Sequence, residues 1–396
     1  MDYRLPTGFR FSGIHCGIKP AKPDLALIVA DEPSYAFGVY TQNLVRAACI
    51  DWNRSITPSR ILRAIVINSG NANACTGESG RRDNQEMAEL VAKELGKADA
   101  KQVAVLSTGV IGQALPMAKL RTGIPQAVRE LANDQQAFER ASKSILTTDK
   151  GPKTEFRTFN AGGRSFSLAA MGKGAGMIGP NMATMLGFIV TDFTVPFDNG
   201  QSILKQAVDL SFNRISVEGH TSTNDGVILL APNRAMEGEP SLEAVKEFQA
   251  ALIDLCCSVA KKIPTDGEGA SHLIHIRISG AASVADADRI ARTIALSNLV
   301  KTAVSGADPN WGRIVSAAGY AGVSMDVSRT SLSINGLQVF DLGTPTKFNA
   351  REVSESIRHN FNTEIDLSVG SGSGTAEHWT SDLTADYVKL NAEYTT

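Results

Sequence analysis

Apolar residues recur along the chain with the periods of both strands and helices. Residues 62–67 (LRAIVI) predict a buried strand, and apolar positions between Met87 and Leu95 then recur at helical spacing before Gly96. A second short strand is predicted at residues 102–106, and a turn from Ser107 to Gly112 follows it. Such a turn can direct backbone N–H groups at a ligand.

The same reading applies to the second half of the chain. SFSLAAM and LGFIVTD predict strands on either side of a glycine-rich loop, and Ser241 is placed to cap a long amphipathic helix. Asn335-Gly336 lies between two alternating arms, which is typical of a type I′ hairpin. Mixed sheets covered by helices, an α/β fold, are the expected result.

Composition narrows the function classes. The 396 residues carry 39 basic and 41 acidic side chains, so a net charge of −2 gives no overall attraction to nucleic acid or to an anionic membrane. The N-terminus resembles neither a signal nor a transit peptide, and no apolar run reaches the length of a membrane span. We therefore expect a cytoplasmic protein without nucleic-acid or membrane partners.

The candidate motifs for a nucleotide and for a metal lack residues or geometry that such sites require. Gly172-Lys173-Gly174 lacks the glycine and the Ser/Thr that a Walker A loop requires around its lysine. His272 and His275 are three residues apart on a predicted strand and so face opposite sides. No metal site is predicted.

The loop KGAGMIGPNMATM raises the question of a nucleophile. The hydroxyl of an internal threonine such as Thr184 is a weak nucleophile until a base lies beside it. The α-amine of Thr184 itself can act as this base if the Ala183–Thr184 bond is cut. Thr108 and Gly109, in the turn named above, could supply an oxyanion hole. From composition alone, a strand-initiating threonine is the commoner interpretation.

A family resemblance favours the nucleophile. KGAGMIGPNMATML resembles the self-cleavage signature of the ornithine acetyltransferase family, and ordered similarities extend over nearly the whole chain. They include GFRFSGIHCGIK, NSGNANACTG, STGVIG, TTD, FNRISV, TSTND, DGEGA, LVKTAVSGADPNWGR and DLTADYVKLNAEYTT.

The resemblance implies a role for each matching residue. Thr184 would be the nucleophile, released by cleavage after Ala183, and Thr108 with Gly109 would be the oxyanion hole. Substrate contacts are expected from Thr147, Lys173, Thr184, Glu268, Asn391 and Thr396. A lysine can pair with a substrate carboxylate and a glutamate with an ammonium group, which suits a zwitterionic amino acid.

The resemblance also implies the fold, the assembly and the reaction. It implies layered mixed sheets of the N-terminal-nucleophile aminopeptidase and ornithine acetyltransferase type, cut into residues 1–183 and 184–396, with two copies of each fragment in a heterotetramer. The enzyme would move acetyl from N-acetylornithine to glutamate without a cofactor. Use of acetyl-CoA stays open.

Some residues depart from the family pattern, and two alternative functions stay open. Lys150, Gly172, Glu218 and His220 differ from the residues common in the family and leave the exact acyl donor and acceptor open, in primary or in secondary metabolism. An aminopeptidase or amidase of the same fold is the nearer alternative, since water would then intercept the ester. A more distant one is an uncleaved amino-acid-binding protein.

Overall fold

The computed structural model describes residues 4–96, 98–179, 185–234 and 239–393, which form two mixed sheets with helices packed on them. The helices are α1 (Ala48–Ile56), α2 (Gly77–Leu95), α3 (Met117–Arg129), α4 (Gln135–Ser144), α5 (Phe197–Asp209), α6 (Leu242–Thr265), α7 (Val284–Ala295), α8 (Asn298–Ser305), α9 (Trp311–Gly319), α10 (Ala350–His359) and α11 (Ala385–Glu393). None of these helices combines the length and apolar character needed to cross a membrane.

The strands of the described residues divide between the two sheets. They are β1 (Phe9–Ile14), β2 (Leu25–Tyr40), β3 (Ser59–Asn71), β4 (Val103–Val110), β5 (Lys153–Ala161), β6 (Arg164–Lys173), β7 (Leu186–Thr191), β8 (Ile215–Ser216), β9 (Gly226–Pro232), β10 (Leu273–Ala281), β11 (Ser331–Ile334), β12 (Leu337–Asp341), β13 (Thr344–Pro345), β14 (Asn362–Ser368) and β15 (Gly374–Ser381). The first sheet has the order β4-β3-β2-β9-β7-β6-β5 with β1 paired to β2, and the second has the order β13-β12-β11-β14-β10-β15-β8.

The first sheet is buried on both faces. Ile228 and Leu230 of β9 belong to the core shared with α1–α4, whereas Val227 and Leu229 between them belong to the core shared with α5 and α6. Successive side chains of a strand point to opposite faces, so a strand covered on both sides is apolar throughout. A third core fills the space between the second sheet and helices α7–α10. The layered α/β fold predicted from the sequence is confirmed.

Several local predictions are confirmed residue by residue. Ser241 caps α6 by accepting the N–H of Ala244, and Gly96 ends α2 with a positive φ of 73°. Asn335 and Gly336 have φ of 49° and 78°, as a type I′ turn requires. One prediction needs correction, because Thr108 and Gly109 belong to the end of β4 and not to a separate turn.

Candidate active site

A pocket at the end of the first sheet gathers most of the residues singled out from the sequence. Thr108, Gly109, Thr147, Lys173, Glu268 and Asn391 all line it, together with Ala72, Ile111, Thr148, Gly176, Met177, Ser222, Thr223 and Asn224. These residues come from β4, β6, α11, the residues that directly follow β3 and β4, and the loops around positions 147, 176, 222 and 268. Ala183, Thr184 and Thr396, which the sequence also indicated, lie outside the described residues.

Lys173 and Thr108 form the inner wall of the pocket. Lys173 is the last residue of β6 and only 2% exposed, and its Nζ donates a hydrogen bond of 2.9 Å to Thr108 Oγ1. A lysine ammonium has no lone pair to offer, so the hydroxyl proton of Thr108 is free to be donated to another acceptor. The strands β4 and β6 are not neighbours in the sheet, so this contact depends on the tertiary fold.

Gly109 is required for the close packing at the end of β4. Its φ is +132°, and a Cβ atom at this position would lie 2.3 Å from the carbonyl carbon of Gly70. Such a distance is well inside van der Waals contact, so any side chain would displace the neighbouring end of β3. The backbone of Gly109 can therefore approach a ligand in the pocket closely.

A buried charge network supports the floor of the pocket. Asp149 accepts hydrogen bonds from the N–H of Gly174 at 2.6 Å and from Lys153 Nζ at 2.5 Å. Lys153 also contacts Asp266 at 2.6 Å, and the N–H of Thr147 donates to Asp149 at 3.1 Å. The network thus fixes the loop of Thr147 against the start of the glycine-rich loop.

Burial and neighbouring charges determine the charge states in this network. Burial lowers the pKa of Lys173 below its ordinary value, although the carboxylates of Asp149 and Asp225 act in the opposite direction. Burial opposes the charge of Asp149, but Lys173 and Lys153 outweigh it and hold the pKa of that carboxyl below its ordinary value. Asp149 is therefore an anion that balances the positive charge on the inner wall.

Glu268 and Asn391 form the outer rim. The N–H of Glu268 donates to Ala175 O at 2.9 Å, which ties the rim to the glycine-rich loop. Asn391 on α11 is exposed and donates from Nδ2 to Glu268 Oε2 at 3.0 Å. Gly176 packs directly beneath the carboxylate, because a Cβ there would lie 2.4 Å from Glu268 Cδ.

Asn224 joins the strands behind the pocket and was not singled out from the sequence. It is 4% exposed, and its Nδ2 donates to Ala72 O at 2.6 Å and to Ser107 O at 2.8 Å. A buried amide that bridges two carbonyl groups satisfies polar groups that would otherwise be costly to bury. The TSTND motif that contains Asn224 was visible in the sequence, but nothing local indicated which of its residues is a structural bridge.

None of the four residues that depart from the family pattern is among the residues that line the pocket. Lys150 and His220 are exposed, and Gly172 lies where a Cβ would be 2.9 Å from Val259 Cγ1. Burial raises the pKa of the Glu218 carboxyl to about 7. These positions therefore alter the surroundings of the site and not its lining.

No grouping of three or more His, Cys, Asp or Glu side chains within the described part of the chain could hold a metal ion. The polar groups of the pocket are instead hydroxyl, ammonium, carboxylate and amide groups. Groups of these kinds can bind an amino acid and stabilise a developing oxyanion.

Comparison with known proteins identifies the family. The model of the ArgJ family matches residues 10–396. The arginine biosynthesis bifunctional protein ArgJ of Rhodopirellula baltica is 48% identical over 396 residues, covering 99% of this chain and 96% of its own, and that of Gloeobacter violaceus is 43% identical, covering 98% and 96%. The chain is therefore an enzyme of the arginine-biosynthesis class.

The chain belongs to the ArgJ family. Among solved structures, the arginine biosynthesis bifunctional protein ArgJ of Bacillus halodurans is 37% identical with a TM-score of 0.50, and the match covers 52% of this chain and 98% of that one. The ornithine acetyltransferase of Mycobacterium tuberculosis, solved with ornithine, is 39% identical with a TM-score of 0.41, covering 44% of this chain and 93% of its own. The family predicted from the sequence is confirmed.

Proposed function

We propose that this protein is a self-processing acetyltransferase that moves the acetyl group of N-acetylornithine to glutamate through an ester on Thr184. One observation carries the proposal. The described residues that the resemblance assigned to oxyanion and substrate binding all line a single pocket, although they are scattered from position 108 to position 391. Membership in the ArgJ family supplies the reaction class.

Self-cleavage generates the nucleophile. The hydroxyl of Thr184 attacks the Ala183 carbonyl, the C–N bond breaks as the nitrogen takes a proton, and water then hydrolyses the resulting ester. This yields fragments 1–183 and 184–396. Two observations support the scheme: Leu186, two residues after Thr184, pairs with Lys173 across β7 and β6, and the solved chain from Bacillus halodurans is about half as long as this chain.

The first half-reaction forms the acetyl-enzyme. The free α-amine of Thr184 removes the hydroxyl proton as the oxygen attacks the acetyl carbonyl of N-acetylornithine. The hydroxyl of Thr108, left free to donate by its bond from Lys173, and the N–H of Gly109 stabilise the oxyanion. The amide bond then breaks, its nitrogen takes the proton from the α-amine, and ornithine leaves.

The second half-reaction reverses the first with a different amine. The amino group of glutamate attacks the ester carbonyl, its proton passes to the α-amine, and Thr184 recovers its hydroxyl as N-acetylglutamate leaves. Splitting the transfer into two steps of this kind needs neither a metal nor an organic cofactor.

Charged groups on both sides of the pocket suit zwitterionic substrates. Lys173 on the inner wall would attract a substrate carboxylate, and Glu268 on the rim would attract an ammonium group. Thr147 and Asn391 add neutral hydrogen-bonding groups between and beside these charges. Thr396 completes the set that the resemblance implies. We further propose that two copies of each fragment associate.

Acetyl exchange between N-acetylornithine and labelled glutamate tests the function. We expect wild-type protein to appear as two bands on a denaturing gel and to label N-acetylglutamate, whereas Thr184→Ala stays as one chain and is inactive. Thr184→Ser is the matched control, because it keeps a hydroxyl group and should retain part of both activities. Normal turnover by Thr184→Ala would remove Thr184 from the mechanism.

The same assay separates the competing functions. Acetate released at the same rate with and without glutamate would indicate an amidase, and an intact wild-type chain without exchange would indicate a binding protein. Replacing N-acetylornithine by acetyl-CoA tests a second donor, since the relatives are named bifunctional. Light scattering of the purified protein measures the assembly.

A further inference from the structure

A second cavity, the outer subsite, lies beside the active-site pocket. Its volume is about 220 Å³. It is lined by Thr148, Lys150, Asp266, Glu268, Gly269 and Leu390. Thr148 and Glu268 also line the active-site pocket, whose own volume is only about 90 Å³. Pockets that bind small molecules usually measure about 300–1,000 Å³. A substrate too large for the inner space would therefore extend into the outer subsite.

Hydrogen bonds and close packing hold the walls of the outer subsite. The N–H of Lys150 donates to Asp266 Oδ2 at 3.0 Å, and Lys153 Nζ donates to the same oxygen at 2.6 Å. Gly269 has a φ of +67°, and a Cβ atom there would lie 2.3 Å from the backbone nitrogen of Tyr387. Helix α11 therefore packs directly on Gly269. The backbones around the cavity are thus fixed, and the side chain of Lys150 extends from an anchored position.

The outer subsite combines a cation and an anion that are not paired with each other. Lys150 is exposed, and within the described part of the chain it donates a hydrogen bond from its backbone N–H but not from Nζ. The carboxylate of Glu268 accepts a hydrogen bond from the neutral amide of Asn391. The charge of Asp266 is balanced by Lys153. Lys150 and Glu268 are therefore the charges that a ligand in this cavity can use.

The two substrates of the proposed transfer carry opposite charges at the ends of their side chains. The side chain of N-acetylornithine ends in an ammonium group, which Glu268 would attract. Glutamate has two carboxylates, of which Lys173 would bind one. The other would be repelled by Glu268 unless a cation lay beside it. Among the described residues that line the two spaces, the cations are Lys173 and Lys150. Lys150 is therefore left for the second carboxylate.

We propose that Lys150 is a specificity-determining residue that binds the side-chain carboxylate of a dicarboxylic amino-acid acceptor in the outer subsite. The inference rests on the proposed transferase function and deepens it. Leu390 on α11 is 49% exposed and lines the same cavity, so the methylene groups of the acceptor can cover it. Lys150 differs from the residue common in the family, so this recognition would distinguish the present chain within it.

Acceptor selectivity tests the proposal. We would measure kcat/KM for acetyl transfer from N-acetylornithine to labelled glutamate and to labelled ornithine, and take the ratio of the two values. In Lys150→Met the ratio should fall by about two- to fivefold, as expected for the loss of an exposed ion pair, with the change in KM for glutamate. Lys150→Arg should keep the ratio, and Lys150→Glu should lower it further. Lys143→Met removes an exposed lysine of α4 and is the matched control.

Each outcome decides the question. A ratio retained in Lys150→Arg, lower in Lys150→Met and lowest in Lys150→Glu, with Lys143→Met unchanged, supports the proposal. An unchanged ratio in Lys150→Met and Lys150→Glu overturns it, as does an equal fall in Lys150→Arg and Lys150→Met. The ratio does not depend on the concentration of active enzyme, so partial unfolding does not alter it. Wild-type transfer to ornithine but never to glutamate overturns this inference alone, whereas transfer to neither refutes the proposed function.

Discussion

The inner wall and the outer rim of the pocket differ in how they are held. Thr108 and Lys173 on the inner wall are 3% and 2% exposed, and each is the last residue of a run of buried residues in its strand. Asn391 on the rim is exposed, and α11 has no buried side chain among its described residues. The inner wall thus has the rigidity that a developing oxyanion requires, whereas the rim is suited to recognising a substrate that enters and leaves.

This contrast predicts that inner-wall substitutions lower kcat and that rim substitutions raise KM. Removing one stabilising donor from a rigid site costs about 10²- to 10³-fold in rate. Removing a partner at an exposed rim costs less, because water replaces part of the lost interaction. Three substitutions, one on the inner wall and two on the rim, test this contrast.

Lys173→Met should have the largest effect. It keeps the buried aliphatic chain but removes the donor to Thr108 Oγ1 and the counter-charge of Asp149. We expect kcat for acetyl exchange to fall by about 10²- to 10³-fold with a smaller change in KM. A gel run beside the assay reports whether cleavage also slows. An unchanged kcat with a raised KM would place Lys173 functionally with the rim.

Glu268→Gln should have an intermediate effect. The amide keeps an oxygen for Asn391 but loses the charge that would attract a substrate ammonium. We expect KM for the amino-acid substrate to rise by about 10- to 100-fold with kcat nearly retained, measured from initial rates. Glu377→Gln, on β15, is the control and should leave KM unchanged. Loss of kcat alone would contradict a role in recognition.

Asn391→Ala should have the smallest effect. It removes one exposed hydrogen bond to Glu268 and leaves the carboxylate in place. A rise in KM of about two- to tenfold is expected, because a neutral hydrogen bond contributes about 1 kcal/mol. Lys389→Ala, on the same helix, is the comparison. An effect as large as that of Lys173→Met would show that the rim is part of the rigid site.

Sequence reasoning succeeded where structure depends on nearby residues. The Asn335-Gly336 turn and the Ser241 cap are specified by residues within a few positions of each other. The family and the acetyltransferase class of the chain were also predicted and are confirmed by the comparisons. Motifs in fixed order carried that part of the prediction, and the roles of individual site residues remain predictions.

Contacts between residues far apart in the sequence could not be predicted. A lysine between two glycines suggests a solvated side chain, yet Lys173 is buried and donates a hydrogen bond to Thr108, whose strand is not adjacent to its own. The pairing of Lys153 with Asp266 likewise joins the start of β5 to the residue after α6. Neither contact has a local signature, so only the tertiary fold reveals it.

Gly176 has a consequence for how the pocket can change during evolution or redesign. Any side chain at this position would overlap the carboxylate of Glu268, from which a Cβ would be separated by only 2.4 Å. Because the carboxylate is the end of a flexible side chain, an alanine at 176 would push it aside, so a change at position 176 also changes where the charge of Glu268 lies. A library that couples these two sites would therefore explore altered acceptor preference.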